Sequence, residues 1–260
     1  MEINSFKWIG GATWVLNLEN IKIACDPVLC SKGHVQNYGY FKSTRLTEPV
    51  YSKDDFSQID IWLLSHAHED HIDAKGLSVI DTNSRIISHK SLKKILRNYK
   101  NVNYQEWHSK IELNIDDFRV VITAIPAYHA KKIVLSPLIG NGNGYLIEIN
   151  KTLFSYNIYV TGDSVFNNNI PDRLKNMRID LAIVNCGSAM IGDSALSKFI
   201  GRITNNSDDL NKLVLSINPQ ITIPVHWGTF SHYKESILAD SIKKNSKVKV
   251  ISEGEIIRIV

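Results

Sequence analysis

The stretch that decides the fold is Asp60-Ile61-Trp62-Leu63-Leu64-Ser65-His66-Ala67-His68-Glu69-Asp70-His71-Ile72-Asp73. Its first half is a short continuous apolar run, which fits a strand buried on both faces. Its second half sets three histidines and three carboxylates within eight residues. Polar groups at the end of a buried strand are costly without a partner. Imidazole nitrogens and carboxylate oxygens bind borderline cations such as zinc at about 2.0–2.2 Å. If the chain bends sharply after the strand, His66 and His68 can point to one centre while Asp70 and His71 point to a second. A lone His-x-His reads equally well as a His-rich surface loop, but four donors spaced H-x-H-x-D-H do not.

One loop cannot close two such sites, so further ligands are expected at other strand ends. His129 follows the strand-like run Phe118–Ile125, Asp163 follows Phe154–Thr161, and His226 follows Ile221–Val225. Taken singly, each has a plain structural explanation as a core histidine or a turn residue. Together with the first motif, in this order, they point to a metal.

Working outward, Ser5–Ile9, Thr13–Leu18 and Ile21–Cys25 read as a meander of strands. Ile86–Ser88, Lys110–Leu113, Gly144–Ile149, Leu181–Asn185, Lys247–Ile251 and Ile256–Val260 are further strands. Helices are expected over Asp73–Asp81, Ser91–Tyr99, Ser194–Ile203, Asp208–Ile217 and Ser231–Lys244. Leu92, Ile95, Leu96 and Tyr99 share one side of the second. Strand groups with helices outside them predict an α/β protein, a four-layer αββα sandwich, with residues 1–260 as a single domain. Two loops stand apart. Val28–Phe56 is long enough to be functional and carries Tyr38, Tyr40, Phe41 and Tyr51. Ala130–Asn143 carries Lys131 and Lys132.

Composition narrows the class further. At 260 residues the chain buries enough surface to fold without disulfides or metal, so a metal serves chemistry rather than stability. With 43% hydrophobic and 22% charged residues it is neither disordered nor a rod. A net charge of +4, scattered along the chain, predicts no nucleic-acid partner. Cys25, Cys30 and Cys186 are an odd number without a C-x-x-C pair, which suits buried thiols in a reducing compartment. The N-terminus lacks a basic, then apolar, leader and no run is long enough to span a membrane. A cytoplasmic protein without an integral membrane segment is therefore expected. Gly140–Gly144 lacks the Lys-Ser/Thr of a nucleotide loop.

These motifs resemble the metallo-β-lactamase fold superfamily. H-x-H-x-D-H, then His129, Asp163 and His226 at strand ends, follow its motif order, and Asp26 in Ala24-Cys25-Asp26-Pro27 matches its first position. Asp26-Pro27, Gly162-Asp163 and His226-Trp227-Gly228-Thr229-Phe230 are most similar to the N-acyl-phosphatidylethanolamine phospholipase D-like group. The L-ascorbate-6-phosphate lactonase-like group shares much of this, including a Met like Met190. The resemblance implies His66, His68 and His129 on a first metal, Asp70, His71 and His226 on a second, and Asp163 bridging. It implies Asp26 as a residue that orients the ligand loop. Gly10-Gly11-Ala12-Thr13 departs from the usual Gly-His, and Asn185-Cys186-Gly187 departs from a usual Pro-containing turn. Cys186 is a disfavoured ligand.

The reading that follows is a hydrolase with two divalent metals, zinc foremost and manganese or iron as alternatives. A metal-bridging hydroxide would cleave a phosphodiester or lactone/ester bond of a small anionic molecule. Asp70 and Asp163 serve the catalytic centre as well as the metals. His232, six residues past a ligand, is an even choice between substrate contact and none. The loop aromatics would line the pocket, and Lys131 or Lys132 would attract an anion. A mononuclear iron-dependent dioxygenase on the same fold and a non-catalytic metal-binding module are the alternatives. His66→Ala is expected to lose metal and hydrolysis together, and elemental analysis showing full metal with undiminished turnover would refute the assignment.

Overall fold

The apolar run of the motif forms a strand, β6 (Ile61–Leu64), with all four residues buried, as its unbroken hydrophobicity requires. The computed structural model describes residues 4–39, 41–130, 140–167, 174 and 176–259. Its chain falls into two compact units. One comprises Met1–Gln105, Gly228–Ser231 and Ile251–Val260, and the other Glu106–Trp227 and His232–Val250.

The first unit is built on a seven-stranded sheet in the order β15-β1-β2-β3-β6-β7-β8. Its other strands are β1 (Ser5–Gly10), β2 (Thr13–Leu18), β3 (Ile21–Cys25), β7 (Arg85–His89), β8 (Asn101–Gln105) and β15 (Ile256–Arg258). From β15 to β3 the neighbours are antiparallel, and from β3 to β8 they are parallel. The carboxyl ends of β1, β3, β6 and β7 therefore share one edge, where open α/β sheets bind ligands. Trp62 and Leu64 pack with Ala24, Ile86, Phe56, Ile72, Leu92 and Leu96 in a buried cluster. The long loop is less irregular than expected. It holds a hairpin, β4 (Val35–Asn37) and β5 (Lys42–Thr44), and a 3₁₀ turn at Lys53–Phe56. Tyr40 lies outside the described residues.

The second unit carries a six-stranded sheet in the order β14-β13-β12-β11-β10-β9. These strands are β9 (Lys110–Ile115), β10 (Phe118–Ala127), β11 (Gly142–Lys151), β12 (Phe154–Val160), β13 (Leu181–Asn185) and β14 (Ile221–Val225). β9 to β12 are antiparallel and β12 to β14 parallel, so β10, β12, β13 and β14 all end on one edge. Pro126 is tolerated in β10 because β9 pairs only as far as Thr123, leaving no partner for a missing N–H. The helix Ser207–Ile217 lays Leu210, Leu213, Val214 and Ile217 on the core with Tyr159, Ala182 and Val184. It starts one residue earlier than predicted, because the Asn206 side chain caps it by accepting from the Asp209 N–H. Lys131 and Lys132 lie outside the described residues.

Other helices are shorter than their periodicity predicts. Asp73–Asp81 contains only Ala74–Leu77. Ser91–Tyr99 gives way to a 3₁₀ turn at Lys90–Leu92 and further turns, with Leu92 and Leu96 buried but Ile95 exposed. Lys90, Lys93, Lys94 and Arg97 would stack like charges at helical spacing there. Ser231–Lys244 is helical only over Asp240–Lys243, because its first residues pair with another backbone. His232 O accepts from Met190 N–H, and Glu235 N–H donates to Gly187 O. Ser194–Ile203 keeps Ala195–Ile200, and Lys247–Ile251 makes a single bridge, Thr222 to Val248. No helix among the described residues is long and apolar enough to cross a membrane.

Asp73 binds the motif to the loop after β3. Its Oδ2 accepts from Leu29 N–H at 2.9 Å and Cys30 N–H at 2.6 Å, while Oδ1 accepts from Gly76 N–H at 2.6 Å. Gly76 is consequently pressed against Pro27, and a Cβ there would overlap the Pro27 carbonyl. Gly76→Ala is expected to destabilise the protein by at least about 3 kcal/mol in urea unfolding. Gly33→Ala, which meets nothing within 4 Å but holds φ +84°, should cost about 1–2 kcal/mol. Equal losses would refute the packing argument.

Candidate metal centre

In the first unit, the residue that organises the motif directly follows β3. Asp26 is buried, with a left-handed φ of +38°. Its Oδ1 accepts from Ser65 N–H at 2.7 Å, and its Oδ2 from Ser65 Oγ at 2.5 Å. The same Oδ2 lies 2.8 Å from His71 Nδ1. A carboxylate only accepts, so His71 carries its proton on Nδ1 and keeps the Nε2 lone pair. Ser65 has one proton and gives it to Asp26, so the 2.9 Å contact from His66 Nδ1 to Ser65 Oγ makes His66 the donor. His66 also keeps Nε2 as a base, and that nitrogen lies 2.8 Å from His68 Nδ1. These rings are close, with centroids 4.3 Å apart for His66–His68 and 4.1 Å for His66–His71.

Asp70 is held from the long loop. Its Oδ1 accepts from Tyr38 hydroxyl at 2.9 Å, and Gln36 Nε2 donates to Glu69 O at 2.6 Å. Burial and the Asp70 carboxylate raise the Tyr38 phenol far above its ordinary range, so it stays a donor. Phe41 stacks on Tyr38 at 4.7 Å. Tyr51 does not join them. It packs 5.5 Å from Phe56 against the core cluster, which corrects its expected place in a pocket lining.

In the second unit, the donors stand on the shared edge of the sheet. His129, past β10, donates from Nδ1 to Gly140 O, which leaves Nε2 as the base. Tyr128 N–H donates to Ser164 Oγ, and Val165 N–H to Tyr128 O, tying the ends of β10 and β12 together. Asp163 follows Gly162, whose φ of +57° and close approach to Asn143 O leave no room for a side chain. Asn185 Nδ2 donates to Asp163 Oδ1 at 2.8 Å. His226, with φ +63°, donates from Nδ1 to Cys186 O at 3.2 Å, and its Nε2 is 3.5 Å from Asp163 Oδ1.

Each unit thus gathers its own predicted donors. His66 and His68, and likewise Asp70 and His71, offer ligand atoms within 4.8 Å of each other in the first, as do Asp163 and His226 in the second. Cys186 contributes its carbonyl, not its sulfur, which sits in the apolar core where burial drives the thiol well above its usual range. His232 is buried with its ring edge-on to Tyr233 at 4.6 Å. His34 is exposed, and His89 caps the 3₁₀ turn after β7 through Ser91. Ser65, Asn185 and Tyr233 contact these donors without having been expected to. Ser65 adjoins the motif and Asn185 ends a buried strand, so both carried a weak signal. Tyr233 carried none, because its segment read as a helix.

A family model described as a beta-lactamase superfamily domain matches residues 5–226. Sequence relatives include the N-acyl-phosphatidylethanolamine-hydrolyzing phospholipase D 1 of Caenorhabditis elegans, 23% identical over 241 residues. That match covers 86% of this chain and 63% of the relative, so the chain spans less than two thirds of its length. A UPF0173 metal-dependent hydrolase of Alkaliphilus metalliredigens is 24% identical, covering 96% of this chain and 97% of the relative. Among solved structures, a possible metal-dependent hydrolase from Veillonella parvula superposes with a TM-score of 0.80 at 19% identity, over 99% of this chain and 100% of its own. An isothiocyanate hydrolase from Delia radicum gut bacteria superposes at 0.77 with 18% identity, over 97% and 98%. These likenesses establish the α/β sandwich of the metallo-β-lactamase fold, as the motifs implied.

Asp26→Asn tests how the histidines are oriented. An amide would turn N–H toward one of three donors, so Ser65 or His71 must lose its contact. Zinc affinity, measured by competition with a chromogenic chelator, is expected to fall about 10- to 100-fold. Affinity equal to wild type would show that Asp26 does not set the ligand geometry.

Proposed function

The chain belongs to the beta-lactamase superfamily, and on that premise we propose that it is a metal-dependent hydrolase with a two-metal centre. In this reading His66, His68 and His129 hold one divalent ion and Asp70, His71 and His226 a second, with Asp163 shared between them. The two units serve as halves of one catalytic domain over residues 1–260.

One observation carries the proposal. Four buried histidines, His66, His71, His129 and His226, all commit Nδ1 as a donor, to Ser65, Asp26, Gly140 O and Cys186 O. Every Nε2 is thereby left as the basic nitrogen, the state in which imidazole binds metal. Core histidines without such a purpose need not agree in tautomer. The donor set of imidazole and carboxylate fits zinc, with manganese or iron as alternatives.

When bound, such ions supply Lewis acidity and a water acidified toward neutral pH. The chain's own residues do the rest. Asp26 and Asn185 hold His71 and Asp163 in orientation, and the Tyr38 hydroxyl fixes Asp70. His232 is assigned to substrate contact, its buried ring packed edge-on against Tyr233. The substrate class is a small anionic phosphodiester or a lactone/ester. The phosphodiester receives support from the relative named a phospholipase D. A cytoplasmic setting belongs to the same reading, supported by three free, buried thiols.

Elemental analysis of purified protein, with a panel of a generic phosphodiester, a lactone and a thioester, tests the proposal. Two equivalents of metal are expected, with turnover abolished by chelation and restored by zinc. Iron content with oxygen uptake and no hydrolysis would point to the dioxygenase instead. Bound metal without turnover on any substrate would point to a binding module.

A further inference from the structure

Basic residues are scattered over most of the chain, but one stretch differs. Residues 82–105 hold Arg85, Lys90, Lys93, Lys94, Arg97 and Lys100 and no aspartate or glutamate. The whole chain carries +4, so this stretch exceeds the entire net charge and everything else sums to −2.

The first unit gathers these charges on one face. Between β7 and β8 the chain turns in helical fashion, with Leu96 N–H on Leu92 O and Tyr99 N–H on Leu96 O. Leu92 and Leu96 are buried in the core cluster, while Lys90, Lys93, Lys94 and Arg97 are exposed. Lys100, also exposed, donates its N–H to Thr82 O and directly precedes Asn101, the partner of Arg85 in the sheet. Among the described residues, Lys93, Lys94, Arg97 and Lys100 enter no ion pair. Like charges at this spacing oppose the local helix rather than stabilise it. Their neutralisation is left to whatever lies outside the chain.

Ile95 lies in the middle of this face and is 38% exposed. The neighbouring aromatics are engaged. The Tyr99 hydroxyl donates to Leu77 O at 2.9 Å, and Lys93 Nζ sits over the Tyr104 ring at 5.5 Å. A single nucleic-acid strand uses open rings to stack its bases. A plane of anionic headgroups needs only clustered cations, and an exposed apolar side chain among them strengthens the hold. We propose that this face docks the protein on an anionic lipid surface, with Lys93, Lys94, Arg97 and Lys100 on the headgroups and Ile95 entering between them. The proposal uses no property of the metal centre and stands apart from the hydrolase reading.

Co-sedimentation of the full chain with lipid vesicles tests it. Phosphatidylcholine vesicles containing about one third phosphatidylglycerol should retain the protein at low salt and release it at high salt, whereas pure phosphatidylcholine should not retain it. Each basic residue contributes about fivefold, so Lys94→Gln with Arg97→Gln should weaken vesicle binding about 25-fold. Tm should stay at the wild-type value, because both side chains are exposed. Lys244→Gln with Lys249→Gln, an equal change of charge at exposed positions of the second unit, should bind as wild type. Equal weakening by that control would overturn the proposal in favour of net charge alone. Absence of wild-type binding to anionic vesicles would overturn it and leave a solvated face. Tighter binding to a single-stranded RNA oligonucleotide than to vesicles, lost in Lys94→Gln with Arg97→Gln, would overturn it in favour of nucleic acid.

Discussion

A buried carboxylate has to be satisfied by donors that are themselves fixed, and Asp26 meets that condition largely through one motif. Ser65 N–H, Ser65 Oγ and His71 Nδ1 converge on its two oxygens. Its own N–H donates to Leu63 O, and its carbonyl accepts from Thr13 Oγ1. Charge-assisted bonds in a dry site are strong and short, and removing any partner leaves an uncompensated charge. The ends of β3 and β6 are held together by this residue. The tautomer of His71 follows directly, and that of His66 follows through the single proton of Ser65.

The second unit reaches the same result by different means. For His129 and His226 the main-chain carbonyls of Gly140 and Cys186 accept from the Nδ1 atoms. Carbonyls at such positions require sharp backbone. Gly162 and Gly187 have positive φ beside close neighbours, and His226 itself is left-handed. Asn185 completes the arrangement as a neutral donor to Asp163. A neutral amide orients that carboxylate without lowering its charge, which suits an oxygen intended for metals.

The donor types and their order could be read directly from the chain. H-x-H-x-D-H after an apolar strand has few physical explanations, and His129, Asp163 and His226 each stand just beyond a strand, as their spacing indicated. Strand positions were legible for the same reason, since apolar runs as short as Ile61–Leu64 and Leu181–Asn185 suit strands buried on both faces better than helices. Helices were less legible. Over Ser231–Lys244 the local pattern favours a helix, but antiparallel pairing with residues 187–190 satisfies the same backbone groups and prevails. Tyr51 misled in the same way, since an aromatic in a long loop serves the core here.

Sequence alone determined the chemistry on offer: imidazoles and carboxylates at strand ends, on a chain large enough to fold without metal, with the motif order of a known superfamily. These depend on residue identity and local period, which are written in the primary structure. Tertiary structure decided which nitrogen of each histidine is basic, which atom of Cys186 is used, and which aromatics approach the donors. Those depend on partners remote in the chain, such as Asp26 for His71 across 45 positions and Cys186 for His226 across 40. Hydrogen-bond direction is a property of pairs, and no local pattern encodes a pair until the sheet brings its members to one edge.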